Sequence, residues 1–569
     1  FLTCLAVEGA GFLTARRISV RDVPGLWRTP SIEPRRTGCT GVLESTVFFL
    51  ATTYMLMFTL IVAPLDVYCK WRHTTRQSMD FLDPKKQRQN TIVLYAGYLL
   101  IGIAIIISTI VLLYQANGYE VDTKGKLVQN GLVFFSSQPN PATIYLNDKK
   151  QSQQTNSRIS IPAGQYSVRL ARAGYHDWQH TLSVQGGDVQ HFDYPFLVPK
   201  TLAPKAYGTA YASAPALVSQ SRDKRWLMVQ PNAAEASFDI YDLKNPTAPV
   251  VNVTIPAEIV PASNGAATWK VVAWADDNQH VLLSRNDASG TAYIMLNRAE
   301  VAQSKNLTTL FNLSSGSVLT LNNNKFDQYY LHVPATGELS TVSLSTPTPA
   351  VVIKNVQALK TYDNSTVLYA TTTGAPTGKV AINMFSGGQT FFLRYLSAGS
   401  TYLLDMAGYD GTPYVVLGSA VDNSVYIYKN PEKQLRGGSK NAVAMRAIRL
   451  TNPQYLAFSP TAQYILVQSG QSVAVYDIFQ QRLSNYKESA PVDAPQTHAT
   501  WMDGHRLVFV SGGTLLLHDF DQTNLQTLIA AAPDFAPAFS PDYHYVYTLA
   551  PATGGMQLLQ TPLLIPADL

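Results

Sequence analysis

Residues 91–114, TIVLYAGYLLIGIAIIISTIVLLY, form a 24-residue run without a charge. As a helix the run would extend roughly 36 Å, enough to cross the hydrocarbon core of a bilayer with some tilt. A buried core helix is the alternative, but such helices seldom stay uncharged for so long. A second apolar stretch, residues 45–63 (STVFFLATTYMLMFTLIVA), is near the lower workable length for a span. Beyond residue 114 the pattern changes. Apolar residues come in short runs broken by Gly, Pro, Asn and Asp, which predicts strands and turns.

Lys85, Lys86 and Arg88 flank the 91–114 run on one side only. Basic residues mark the cytoplasmic side of a span, so residues 79–90 are expected inside and everything after 114 outside. Residues 1–78 read poorly as a domain. They mix Arg, Gly and Pro without period, and a span at 45–63 would conflict with the basic residues between the two apolar runs. They are an uncertain extension that fits translation of upstream sequence. MDFLDPKKQRQN from Met79 makes an ordinary signal-anchor start, and no A-x-A cleavage site follows. Residues 115–130 are polar, contain Gly118 and Gly125, and read as a stalk reaching about 50 Å when stretched.

In residues 131–200, LVFFSS, ATIYLN, RISIPAG, QYSVRLARAGY and HTLSVQ alternate with turns at Pro139, Pro141, Gly164, Gly174 and Gly186-Gly187, predicting a small antiparallel β unit. The string SSQPNPATIYLND, followed by ISIPAGQYSVRLARAGYHDW, resembles a PEGA domain. The turn Pro162-Ala163-Gly164 and the pair Gly174-Tyr175 keep that family's pattern, whereas Pro139-Asn140-Pro141-Ala142 has proline in place of its glycine. The resemblance implies a β-sandwich-like surface module of envelope proteins, with no catalytic residues to carry over.

Residues 201–215, rich in Ala and Pro, read as a linker, and residues 216–565 as a repeat array. Three segments align, from Tyr455, His498 and Ala536. Their aromatics Phe458, Trp501 and Phe539 recur after 43 and 38 residues, each followed by a polar turn and two apolar strands. Weaker copies begin at Leu217 and Val271 and near Val318, Val356 and Tyr402. Units of this length predict a β-propeller of seven or eight four-stranded blades, with two tandem β-sandwiches as the alternative. The turns Phe458-Ser459-Pro460 and Phe539-Ser540-Pro541 resemble those of bacterial WD-repeat or TolB-like propellers, although Gly-His and Trp-Asp signatures are missing. The fold class is therefore mainly β: one transmembrane helix, a PEGA-like module and a propeller.

Charge sharpens the topology. Residues 1–90 hold 12 Lys/Arg and 7 Asp/Glu, so the formal +5 of the chain lies before the span and the remainder balances at 31 against 31. A neutral exported part argues against nucleic acid as a partner, which would need clustered cations to neutralise phosphates. Cys4, Cys39 and Cys69 all precede the span, so no disulfide, thiolate metal site or cysteine nucleophile is available beyond it.

Motifs for chemistry are sparse. The string nearest a nucleophile elbow, 470–474, lacks the final glycine, and Ser472 reads as a hairpin residue. GAPTGK at 374–379 is one residue short of a phosphate loop, and Val380 stands where Ser/Thr is needed. His176 and His180 flank Trp178 in a strand or turn, too far apart there to share an ion. Asp276, Asp277, Asp405 and Asp410 fall at expected blade turns, where calcium binding competes with the ordinary turn preference of Asp. Sequons occur at Asn252, Asn306, Asn312 and Asn364. Phe458, Trp501 and Phe539 are expected in the core, while other aromatics suit binding surfaces. No catalytic, cofactor-binding or metal-ligating residue is assigned, and no cofactor is expected.

The expectation is a single-pass cell-membrane protein, not an enzyme, that is held by one helix and displays an extracytoplasmic propeller for binding an envelope protein or cell-wall polysaccharide. The rival is a propeller hydrolase or lyase acting on a glycan or peptide in the central channel. A transmembrane sensor is weakened by the lack of a cytoplasmic output domain.

Overall fold

The computed structural model describes residues 84–116, 118–121, 127–260, 265–399, 401–566 and 568. The apolar stretch 45–63 and the start expected at Met79 lie outside them. Contacts divide the chain into Phe1–Ile106 and Ile107–Leu569. The described part of the first is helical: α1, Pro84–Ala116, begins there and continues into the second. Proline at the first helical position costs nothing, because its missing N–H has no intrahelical partner. Within α1, Thr91–Ala116 is long and apolar enough to cross a membrane, and near its end Tyr114 meets Tyr119 edge to face at 5.2 Å.

The segment expected as a stalk is partly strand. Tyr119–Val121 pairs antiparallel with residues 127–129, so the polar connection folds back on itself instead of stretching toward 50 Å. The reason lies in the partner, since Leu127–Phe135 is one nine-residue strand that begins well before the apolar LVFF run. Gly131 in that strand lets the sheet approach the neighbouring chain closely. A Cβ there would lie 2.4 Å from Val184 and 2.9 Å from the Gln185 carbonyl.

Leu127–Phe135 pairs with Ser157–Pro162 antiparallel and with Val189–Phe192 parallel. A second sheet runs in the order Lys149–Gln154, Thr143–Leu146, Gly164–Ala171, Trp178–Val184. Alternating residues of the two sheets (Val133, Phe135, Ile159 and Ile161 against Ile144, Val168, Leu170 and Leu182) meet in one buried core, a β-sandwich.

Among the described residues the remaining sheets make eight blades, each of four antiparallel strands, A to D from the axis outward. The A strands are Leu217–Gln220, Thr268–Trp274, Val318–Leu321, Ala358–Thr361, Tyr402–Tyr409, Tyr455–Phe458, Thr500–Trp501 and Ala538–Phe539. The A strands of blades 1 to 3, and those of blades 4 to 6, approach one another in turn, which places the A strands innermost. Each blade buries both faces, so middle strands such as Val367–Thr371 and Arg506–Ser511 are inaccessible along almost their whole length. A hydrophobic cluster fills the space between each blade and the next, including blade 8 and blade 1, where Leu227, Val229 and Tyr241 meet Tyr547, Leu549 and Leu558. The ring is thus closed.

Its closure uses the stretch expected as a linker. Lys205–Ala206 is the D strand of blade 8, paired with Gln560 and Leu559 of the C strand Gly555–Pro562. Tyr211 bridges to Met556, and its hydroxyl lies 2.6 Å from that of Tyr241 in blade 1. The two ends of the propeller sequence are therefore stitched into a single blade.

Candidate functional site

Because strands alternate direction, all A–B and C–D connections lie at one end of the blades and all B–C and D–A connections at the other. The A–B turns share a local device, an Asp oxygen that accepts backbone N–H groups two and three residues on. Asp277 takes Gln279 and His280 at 2.9 and 3.0 Å, Asp363 takes Ser365 and Thr366 at 2.8 and 2.7 Å, and Asp503 takes His505 and Arg506 at 2.8 and 2.9 Å. This is the turn chemistry that favours Asp.

Charged groups near the axis join one blade to the next. Lys360 of blade 4 pairs with Asp405 of blade 5 at 3.0 Å, and Asp405 also accepts the Phe458 N–H of blade 6 at 3.3 Å. Lys224, in the A–B turn of blade 1, donates to the Met502 carbonyl of blade 7 at 2.5 Å and lies 4.6 Å from the Tyr543 ring centre of blade 8. Burial lowers its pKa to about 8, against the opposing pull of Asp503.

The densest group of buried ionisable side chains lies where the sandwich meets blades 7 and 8. Trp178, almost wholly buried, donates Nε1–H to Asp519 Oδ2 at 2.8 Å, and Asn524 Nδ2 donates to the same oxygen at 2.8 Å. Asn524 also grips the strand Trp178–Val184, accepting from the Gln179 N–H at 2.7 Å and donating to its carbonyl at 3.0 Å. Tyr194 stacks on His505 at 4.8 Å, and its carbonyl accepts from Arg506, which is bound in turn to Asp503. Phe196 and Val198 enter the core between blades 7 and 8 beside Leu517, Phe539 and Leu563. Tyr175 donates to Asp568 at 2.7 Å and accepts the Ile565 N–H at 2.8 Å, which fastens the segment after the last blade.

Burial sets the titration of this joint. It pushes the Asp519 carboxyl up to about 6, although Arg506, Asn524 and Trp178 pull the other way. It holds the His505 imidazole down to about 4, helped by the adjacent Arg506. The arrangement can hold two folded modules in one orientation, because Trp178 and Asn524 both bond Asp519 and Arg506 bonds Asp503 and the Tyr194 carbonyl.

Residues singled out in the sequence are dispersed. Ser472 opens the C strand of blade 6 after a two-residue hairpin at Gly470, and 374–379 is the B–C turn of blade 4, with Lys379 beginning a strand. His180 stacks on Trp178 and faces Asp521 at 3.6 Å, while His176 precedes that strand, exposed. Asp276 pairs with Arg222 at 3.4 Å, and Asp410 forms a left-handed turn at φ 47°. Among the described residues no three His, Cys, Asp or Glu side chains converge on a metal position. Phe458, Trp501 and Phe539 all pack in clusters between blades. Asn306 caps the short helix Leu307–Leu310, accepting from Thr309 at 3.1 Å, Asn252 bonds Asp239 at 3.0 Å, and Asn312 and Asn364 lie in turns. The joint residues Tyr194, Asp519 and Asn524 carry no motif. The only hint was the run of aromatics from Trp178 to Phe196.

Residues 130–198 match the PEGA domain family, so the PEGA-like unit is a PEGA domain by sequence as well as by its sandwich. No curated protein matches the chain. Among solved structures, Hsv2 of Kluyveromyces lactis is 13% identical, with 55% of this chain and 96% of that one covered and a TM-score of 0.35. An oligogalacturonate lyase from Vibrio parahaemolyticus is 11% identical over 65% and 98%, with a TM-score of 0.32. The β-propeller domain of Cps50 (Swd1) from Myceliophteria thermophila is 10% identical over 58% and 100%, with a TM-score of 0.34. Likenesses of this degree carry no functional argument. The propeller assignment stands on the closed ring of eight blades.

Proposed function

We propose that the chain is a membrane-anchored, extracytoplasmic binding or scaffold protein that presents its propeller to another envelope protein or to a cell-wall polymer. The observation that carries this reading is the joint. The PEGA domain occupies the A–B and C–D end of blades 7 and 8 through buried Trp178, Asp519 and Asn524, and no described residue of this unit outside the propeller covers the opposite end. A surface held in one orientation loses less ordering entropy when a partner docks. Propellers host catalysis as well as binding. A hydrolase or lyase would need carboxylates free to act as acid and base, whereas Asp405 and Asp503 are engaged by Lys360 and Arg506.

The test places a photo-crosslinking residue at Ala234, Ser289 or Thr373, all exposed in B–C turns, in the full chain in intact cells. An adduct with an envelope protein or wall fraction supports the reading. Absence of adducts, with release of a glycan or peptide product by the purified chain, replaces it with the hydrolase or lyase. Protease added outside intact cells should degrade the propeller, and full protection would sink the topology.

A further inference from the structure

Blade 5 makes its C–D connection with residues 430–445, between strands Ser424–Lys429 and Arg446–Arg449, where blade 4 uses only Gly387 and Gly388. A hairpin connection needs about two to five residues, so the extra chain is an insertion on the rim. It is built rather than loose. The helix Pro431–Arg436 starts on Asn430, whose side chain accepts from Lys433 N–H at 3.1 Å. Gln434 ties the returning chain by accepting the Val443 N–H at 2.8 Å. Leu435, Ala442 and Ala444 pack into the core between blades 4 and 5, and Arg436 lies 4.7 Å over the Phe391 ring of blade 4.

What this insertion and its strand display is positive charge. Residues 429–449 hold Lys429, Lys433, Arg436, Lys440, Arg446 and Arg449 against the single acid Glu432. All six cations are exposed. Arg436 is paired with Glu432 at 2.8 Å, and the other five form no ion pair with a described carboxylate. The rest of residues 115–569 carries 25 basic and 30 acidic residues, so the neutral exported part is a local excess of five set in an acidic body.

We propose that this rim insertion binds a flexible linear polyanion, a phosphate- or carboxylate-bearing polymer of the cell envelope. The proposal rests on the binding reading above and names the chemistry of one partner. Geometry separates it from the other polyanions. Side chains alternate along a strand, so Arg446 and Arg449, three residues apart, point to opposite faces of the outermost strand. A planar anionic bilayer meets one face, while a chain bending round the rim meets both. Val443, at 69%, is the one large apolar residue exposed in the segment, little for membrane insertion. A duplex, stiff over about 150 base pairs, cannot follow the edge of a single blade.

The full chain in a neutral phosphatidylcholine nanodisc is titrated with labelled poly(glycerol phosphate) and, separately, with labelled alginate, which distinguishes phosphate from carboxylate. At least one should bind. Replacing Lys429, Lys433 and Lys440 together by Gln should raise Kd at least tenfold and lower the slope of log Kd against log salt by about 2. Replacing Lys244, Lys305 and Lys325 by Gln should change neither. Unchanged melting of both triple variants excludes misfolding. The proposal is overturned if neither polymer binds, if the two triple variants weaken binding equally, or if phosphatidylglycerol vesicles are retained while both polymers are not. Because the crosslinking above reads the B–C turns, it can succeed while this fails, so the two failures are distinguishable.

Discussion

Replacing Asp519 by Asn should erase one half of a balanced pH response in the joint between the PEGA domain and the propeller. In the closed joint the Asp519 carboxyl is fully buried and titrates near 6, against 3.8 for an ordinary aspartate. An acid whose pKa is raised on closing binds its proton more tightly closed than open. Closing is therefore unpenalised below about pH 4, progressively penalised between 4 and 6, and fully penalised above 6, by about 3 kcal/mol or about a hundredfold in the opening equilibrium. His505 works in the opposite sense. Its pKa is lowered from 6.5 to about 4, so its contribution to closing is complete above pH 6.5 and is lost as pH falls toward 4. With both groups present the changes largely cancel. The readout is hydrogen exchange at the Gln179 amide, which donates to Asn524 at 2.7 Å only while the joint is closed. Corrected for intrinsic exchange, the wild-type-to-variant protection ratio should rise about a hundredfold from pH 7.5 to 4. Groups common to both proteins drop out of the ratio, so a flat ratio would refute the assignment of Asp519 as the buried titrating group.

Three further outcomes follow from the same geometry. His505→Gln removes the larger opposing group, while His180, also held down by burial, keeps part of the opposition, so the ratio of variant to wild-type Gln179 protection should increase as pH falls from 6.5 to 4; a flat ratio over that interval contradicts the argument. Trp178→Ala removes a side chain only 1% exposed, together with its bond to Asp519, and should cost about 3–5 kcal/mol, read as lower melting of the PEGA domain; an unchanged melt counts against the packing. Gly555 sits at φ 149°, and a Cβ there would lie 2.0 Å from the Tyr211 carbonyl, so Gly555→Ala should loosen ring closure by roughly 1–3 kcal/mol and expose residues 201–215 to limited proteolysis; equal cleavage of variant and wild type would argue against closure at this site.

Individual elements show where sequence reading succeeds. The repeats placed at Leu217, Val271, Val318, Val356, Tyr402, Tyr455, His498 and Ala536 each fall at or within a few residues of an A strand. A blade is a local object, with consecutive strands joined mostly by short turns, so its Asp, Ser and Pro signals sit beside the strands they delimit. The PEGA turns were legible for the same reason, since Pro162-Ala163-Gly164 joins two neighbouring strands. Lys205–Ala206 was not legible. Two residues have no period, and the surrounding Ala- and Pro-rich composition resembles a linker until the C strand of blade 8 arrives to pair with it.

By itself, then, the amino-acid sequence determined the helix long enough to span a membrane, the PEGA module, the repeat and the confinement of excess charge and all cysteine to the N-terminal part. Each of these is a matter of local pattern or of composition. Only the tertiary structure decided that there are eight blades, that the presumed linker closes the ring, that the PEGA domain is locked onto blades 7 and 8, and that Asp519 and His505 are buried together with opposite shifts. Those facts depend on which residues distant in sequence meet, and on the water excluded where they do. Burial acts on a pKa only after packing has removed the solvent, and no window of sequence contains both sides of that contact.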